Sequence, residues 1–272
     1  MTIEQKKTAT VIQNRFVNYR RDLINVWRDF LFTQFLVERY RKEVSDNKTM
    51  TLVIENHNEN SIKSFKSKDI DGICNRIIKS TNARRTLISS VSLTENFLQD
   101  LARVIYKIYP EKINSRDASE AIGQQVKLMQ IIFDSVDKTE MLDKIIEEKI
   151  RGIFYGNPID FFEKDKAQLG FDSVFKVKYS KALEQYAEII NRRNINIHND
   201  GRVDRKYIRE TKNVLKLGTK LVVDKAYLRS SIMLLLGLSS ISTKIVLENI
   251  LNVNKCHSSI ISGFNRFAND YK

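Results

Sequence analysis

Apolar residues recur through residues 4–44 at alternating spacings of four and three: Ile12, Phe16, Tyr19, Leu23, Val26, Phe30, Val37, Tyr40 and Val44, with a break at Thr33. This spacing keeps side chains on one face of an α-helix, so it predicts one long helix with a buried stripe. Trp27, Leu31, Phe35 and Leu36 widen that stripe beyond a two-stranded seam. Packing inside its own domain is therefore favoured over a coiled-coil dimer arm, with both left open. Asp46-Asn47-Lys48 reads as a turn, and Thr51 to Ile54 is the one β-leaning stretch, a lone strand or an irregular loop. The polar run that follows is the best candidate boundary. It separates an N-terminal helical segment, residues 1–66, from a helical domain, residues 67–272.

From Ser67 onward the pattern predicts consecutive helices. Ser92-x-x-Glu95 has the form of a capping box, after which Phe97, Leu98, Leu101, Val104, Ile105 and Ile108 repeat at helical spacing up to Pro110. Helices are then expected over about 115–133 and 138–154, and from about 173 into the region of Arg193. Asn199-Asp200-Gly201 ends the last of these, because glycine and asparagine tolerate the left-handed cap. A short helix over about 204–214, a turn at Leu217-Gly218-Thr219, a long apolar helix capped by Asp224 and running to about 251, and one amphipathic piece complete the chain.

Composition agrees with this pattern. Only 2 prolines and 9 glycines interrupt 272 residues, so an all-α fold is expected, with ample length for a buried core. Lys and Arg outnumber Asp and Glu by 46 to 33, a net charge of +13, which attracts polyanions. The basic residues are spread along the chain, in pairs such as Arg20-Arg21, Arg84-Arg85 and Arg192-Arg193, so a nucleic acid would meet a folded surface. A soluble basic protein with no special partner has the same composition. Cys74 and Cys256 lack a ligand-type spacing, and with three histidines no metal or cofactor site can be drawn. The N-terminus has no apolar signal core, and the run Ile232 to Ile241 is too short to span a bilayer. A cytoplasmic protein with free thiols and no membrane association is expected.

Among the histidines, His57 lies in a polar loop and reads as surface, and His257 reads as a helix cap or surface residue. His198 stands in a different setting, Asn191-Arg192-Arg193-Asn194-Ile195-Asn196-Ile197-His198-Asn199-Asp200-Gly201. Arg193 falls on the apolar stripe of Leu183, Tyr186, Ile190 and Ile197, so it must be paired or must face a pocket or an interface. Asn194 and His198 are one turn apart, where an amide can orient an imidazole. Arg193 and His198 are about 140° apart at roughly 100° per residue. They converge only if the helix ends near His198 or if two chains face each other.

Such a set suits cleavage of RNA, with histidine moving a proton near neutral pH and arginine holding the extra charge of a phosphorane. The nucleophile comes from the substrate's 2′-OH, so the chemistry needs no metal. Spacing alone does not decide the matter, since a cationic helix C-terminus has the same residues.

The wider sequence resembles the HEPN superfamily. Arg193-Asn194-x-x-x-His198 matches its Arg-x(4–6)-His motif, and Arg192 satisfies the spacing as well. Downstream, His198 to Tyr207 and Leu217 to Leu228 are similar to the stretch after the motif in RiboL-PSP and MAE-type members. Upstream, Leu93 to Leu101 is similar to the helix that packs against the motif helix. The resemblance spans about residues 86–251. It implies a HEPN helical bundle, here with an additional long N-terminal helix, that dimerises with the two motifs across the interface. It also implies an endoribonuclease leaving a 2′,3′-cyclic phosphate, often a toxin or effector in bacterial or phage conflict held silent by an antitoxin or regulatory partner. Arg193, His198 and Asn194 are the expected catalytic residues, and Arg192, Asn199 and Arg202 the expected RNA contacts. Two other readings remain: a non-catalytic HEPN module that binds RNA or scaffolds proteins, and a pure interaction protein dimerising through the first helix.

Overall fold

The first 46 residues hold no glycine or proline, and in the computed structural model they form one helix, α1 (Ile3–Asp46), about 66 Å long. The structure describes residues 2–55, 62–113, 131, 134–154 and 157–271. Thr2 and Gln5 form a reciprocal capping box at the start of α1. Ala9, Ile12, Phe16, Tyr19, Leu23 and Phe30 are buried in the main core, and Val44 lies in a second, smaller one. Phe35 and Leu36 do not join the stripe and stand exposed, as does Phe32, because the helix turns that side away from the bundle.

Thr51–Glu55 (β1) pairs antiparallel with Ile62–Lys66 (β2), so the β-leaning stretch is one arm of a hairpin. Ser67–Arg76 (α2) runs through a π turn into Asn82–Ile108 (α3). The hairpin and α2 pack on the far end of α1, where Val44, Ile70 and Cys74 form the second core. The capping box expected at Ser92 and Glu95 is not a helix start; both residues lie inside α3. The helical repeat already runs upstream through Ala83, Leu87 and Val91, all buried, and this longer periodicity overrides a four-residue cap pattern.

After the turn Pro110–Ile113 come α4 (Lys138–Phe154), α5 (Asp160–Glu163) and α6 (Val174–Lys178). The helix expected over about 115–133 falls almost wholly outside the described residues, and His57 lies outside them too. The helix expected from 173 is broken at Tyr179, where the backbone leaves helical values, and continues as α7 (Ser180–His198). A short helix, α8 (Arg205–Thr211), and a long one, α9 (Lys225–Ile245), follow, capped by Asp204 and Asp224, and then comes α10 (Ser258–Asp270). His257 caps α10 by accepting the Ser259 amide at 3.2 Å.

One core joins α1 from Ala9 to Phe30 with α3, α7 and α9, so most of the N-terminal helix packs with the helices beyond residue 66. Phe161, Phe162, Phe171 and Phe175 close its other end against Tyr186. Helix α9 with its following π turn, Lys225–Ile250, is longer than its most apolar run and has the length and hydropathy to cross a membrane. In this fold 78% of its most apolar 18-residue window is buried inside the protein, where it serves as the central core helix. Its Ser240, Ser242 and Thr243 hydroxyls donate to carbonyls one turn back at 2.7 Å, which is how they tolerate full burial. Cys74 and Cys256 are free thiols.

Candidate functional site

Helix α7 carries Arg192 and Arg193 about 100° apart, so the two enter different surroundings. Arg192 donates through Nε to Glu188 at 2.7 Å and stacks 4.1 Å over the ring of Tyr227. Glu188 also accepts the hydroxyls of Tyr207 at 2.7 Å and Tyr227 at 2.6 Å. Burial, with the Glu188 carboxylate, pushes Tyr207 up to about 12 and raises Tyr227 further, so both remain donors near neutral pH. Arg192, read from the sequence as an RNA contact and as a rival for the catalytic arginine, is thus only 16% exposed and ties α7 to α8 and α9.

Arg193 takes the opposite direction. Its Nη2 is paired with Glu95 on α3, with 17% and 25% of the two side chains exposed. Its Nε is buried without a partner among the described residues. Burial raises the Glu95 carboxyl while the facing guanidinium opposes that rise. Both residues line a cavity of about 450 Å³ bounded by the end of α4, Pro158, α5 and α7. Asn194 and Tyr186 reach it as well, with Lys206 of α8 at its edge. The paired or pocket-facing placement required of an arginine on the apolar stripe is met in both senses.

His198 is the last residue of α7 and is exposed. The amides of Asn199 and Gly201 both return to the carbonyl of Ile195 at 2.9 Å, ending the helix where the Asn-Asp-Gly sequence predicts. Asp200 at φ 48° and Gly201 at φ 74° make the left-handed turn. A side chain at Gly201 would also come within 3.0 Å of Asn196 Oδ1. Arg84 of α3 holds this end from the side. It donates to Asp200 at 2.5 Å and to the carbonyl of Asn196. Lys220 meets the same carboxylate at 2.8 Å. Hydrogen bonds from Lys220 and then Arg84 lower the Asp200 carboxyl to about 2.

Ending the helix at His198 does not bring the imidazole to Arg193. His198 is not among the residues lining the cavity, and no hydrogen bond joins it to Asn194 among the described residues. Asn199 spends its amide on the carbonyl of Arg202 at 2.8 Å, while the exposed Arg202 donates to Gly218 at 3.3 Å. The structure therefore gathers Arg193, Asn194 and Glu95 at one cavity and leaves His198 on the surface at the helix end. Sequence reasoning missed the roles of Glu95 and Arg84. Their partners lie 98 to 116 residues away, and no local pattern marks such pairs. No protein-family model matches this chain, and no curated protein or solved structure matches it either.

Proposed function

We propose that the protein is a metal-independent endoribonuclease of the HEPN kind, working as a dimer in which Arg193 and His198 of one copy face those of a second. The observation that carries this reading is Arg193. It is a largely enclosed guanidinium at an open cavity, on the helix whose last residue is an exposed histidine. The resemblance of the surrounding sequence to HEPN proteins gives the pair its chemistry. Beside His198, Ile197 is 44% exposed, an apolar contact suited to a second copy.

In this mechanism the imidazole of His198 accepts the proton of a ribose 2′-OH. The 2′-oxygen then bonds to phosphorus, the bond from phosphorus to the 5′-oxygen breaks, and the leaving oxygen takes up a proton from water, leaving a 2′,3′-cyclic phosphate. Arg193 stabilises the added negative charge on the phosphoryl oxygens, where its fixed donors are worth most in a partly dry site. DNA, lacking the 2′-OH, is not cut. As an effector in bacterial or phage conflict, such an enzyme needs restraint by an antitoxin or regulatory partner.

One observation favours a second reading, a HEPN module that binds RNA without cutting it. Glu95 already neutralises Arg193, and no side chain orients His198 among the described residues. The deciding experiment incubates cellular RNA with purified protein in EDTA beside His198→Ala and Arg193→Ala. Cyclic-phosphate ends made by wild type alone support the nuclease. Salt-sensitive binding without product, indifferent to His198, supports the module.

A further inference from the structure

The cavity beside Arg193 has a composition that a phosphate contact does not use. One half of its lining is apolar and aromatic, with Phe161 almost fully buried and Phe154 and Ile190 beside it. Its size, about 450 Å³, falls in the range of small-ligand sites, enough for one nucleoside and too small for a duplex. The other half is polar, and beyond the Arg193–Glu95 pair much of its hydrogen-bonding capacity is unspent. Tyr186 is 2% exposed, yet its hydroxyl has no hydrogen-bond partner among the described residues. The Asn194 amide is equally unengaged there, and Glu95 gives one carboxylate oxygen to Arg193 and keeps the other. The buried polar atom that lacks a partner at this cavity is Arg193 Nε, and the Tyr186 hydroxyl adds a second group that the fold leaves unengaged.

We infer that this cavity binds an unstacked guanine base of the RNA, with Glu95 accepting its N1–H and N2–H and Asn194 and Tyr186 donating to its carbonyl edge. A carboxylate selects for adjacent N–H donors, and guanine alone of the four bases presents two side by side. Adenine and cytosine place a ring acceptor next to their single amino group, and uracil flanks its one N–H with carbonyl oxygens, all of which face the carboxylate unfavourably. The aromatic walls suit a single-stranded base taken out of its stack, the usual form in which proteins read RNA sequence. Lys206, whose side chain is more than half exposed, also lines the cavity and supplies a cation for the attached phosphate. The inference rests on reading the protein as one that acts on RNA, and it adds a sequence preference, cleavage beside guanosine.

The test is calorimetric titration of the full chain with GMP, AMP, CMP and UMP, which needs no turnover. GMP should bind about tenfold more tightly than the other three, the discrimination typical of a site built around a few hydrogen bonds. Glu95→Gln should erase the preference. Tyr186→Phe should weaken GMP about three- to tenfold without lowering the melting temperature, because the lost hydroxyl has no partner in the fold. Equal affinity for all four nucleotides, no saturable binding of GMP, or indifference to both substitutions overturns the inference. Protein that binds GMP selectively but does not cut RNA keeps the guanine site and removes the nuclease. Protein that cuts RNA without selecting GMP does the reverse.

Discussion

The guanidinium of Arg193 on α7 is paired with the carboxylate of Glu95 on α3, two residues 98 positions apart that meet at the wall of one cavity. Neither could occupy that place alone, since each is mostly withdrawn from water and an unpaired charge there is expensive. Their contact adds an ion pair to the apolar core that α7 and α3 share.

Removing one partner should therefore cost more than a surface ion pair does. Glu95→Ala is expected to lower stability by about 2–4 kcal/mol in urea unfolding, because it strands Arg193. The double variant with Arg193→Ala should recover part of that loss, giving a coupling of about 1–3 kcal/mol in a double-mutant cycle. Strict additivity would mean that the pair is not a unit.

The two neighbouring arginines should separate cleanly by the kind of damage they cause. Arg192→Ala loses the stack on Tyr227 and leaves Glu188 without its cation, an expected cost of about 2–3 kcal/mol. His198→Ala removes an exposed side chain with no hydrogen bond among the described residues, so unfolding should stay within about 0.5 kcal/mol of wild type. On the nuclease reading His198→Ala nonetheless abolishes cleavage. Loss of activity in a His198 variant that melts several degrees lower would make the effect structural.

The turn after α7 should respond to acid in one direction. The Asp200 carboxyl is lowered from 3.8 to about 2 by Lys220 first and Arg84 second. Its folded value lies below its unfolded one, so its contribution is present above pH about 4 and is lost as pH falls through about 2. A carboxyl-carbon NMR titration should find the Asp200 midpoint near 2 in wild type. In Lys220→Ala the midpoint should move up towards 3.8. An unchanged midpoint in that variant would assign the shift to Arg84 alone.

Much of this fold was legible in the sequence because helix periodicity is a local property. The stripe from Ile12 to Phe30, the end of α3 near Pro110, the stop at Asn199-Asp200-Gly201 and the Asp224 cap each depend on residues within a turn or two of one another. What escaped depended on contacts between distant segments. Glu95 looked like a capping residue until Arg193 stood opposite it, and Arg84 was one of many basic residues until Asp200 met it. β2 was missed because Lys63, Ser64 and Lys66 give its short run too weak an alternation to read as a strand. At the candidate site, the arginine's need for a partner followed from its place on an apolar stripe. Sequence spacing also put His198 about 140° from Arg193 at roughly 100° per residue. What it did not show is that ending the helix at His198 leaves the imidazole outside the cavity.

Two helix glycines offer the last test, since they face opposite demands. Gly72 lies on the exposed side of α2, and a Cβ there would meet nothing within 4 Å. Gly72→Ala should stabilise the protein by up to about 1 kcal/mol, the helix-propensity difference. Gly237 sits inside α9 against α10, where an added Cβ would lie 2.8 Å from both Cβ and Cγ of Phe267. That ring is held at 2% exposure between Tyr179 and Tyr271, with centroids 5.1 and 4.9 Å away, so it has little room to yield. Gly237→Ala gains the same propensity term and should still lose about 1–3 kcal/mol, because overpacking forces the two helices apart. Thermal unfolding of the two variants should move in opposite directions. A stabilised Gly237→Ala would show that α10 is free to shift away from α9, and that its contact with the core helix is not close-packed in solution.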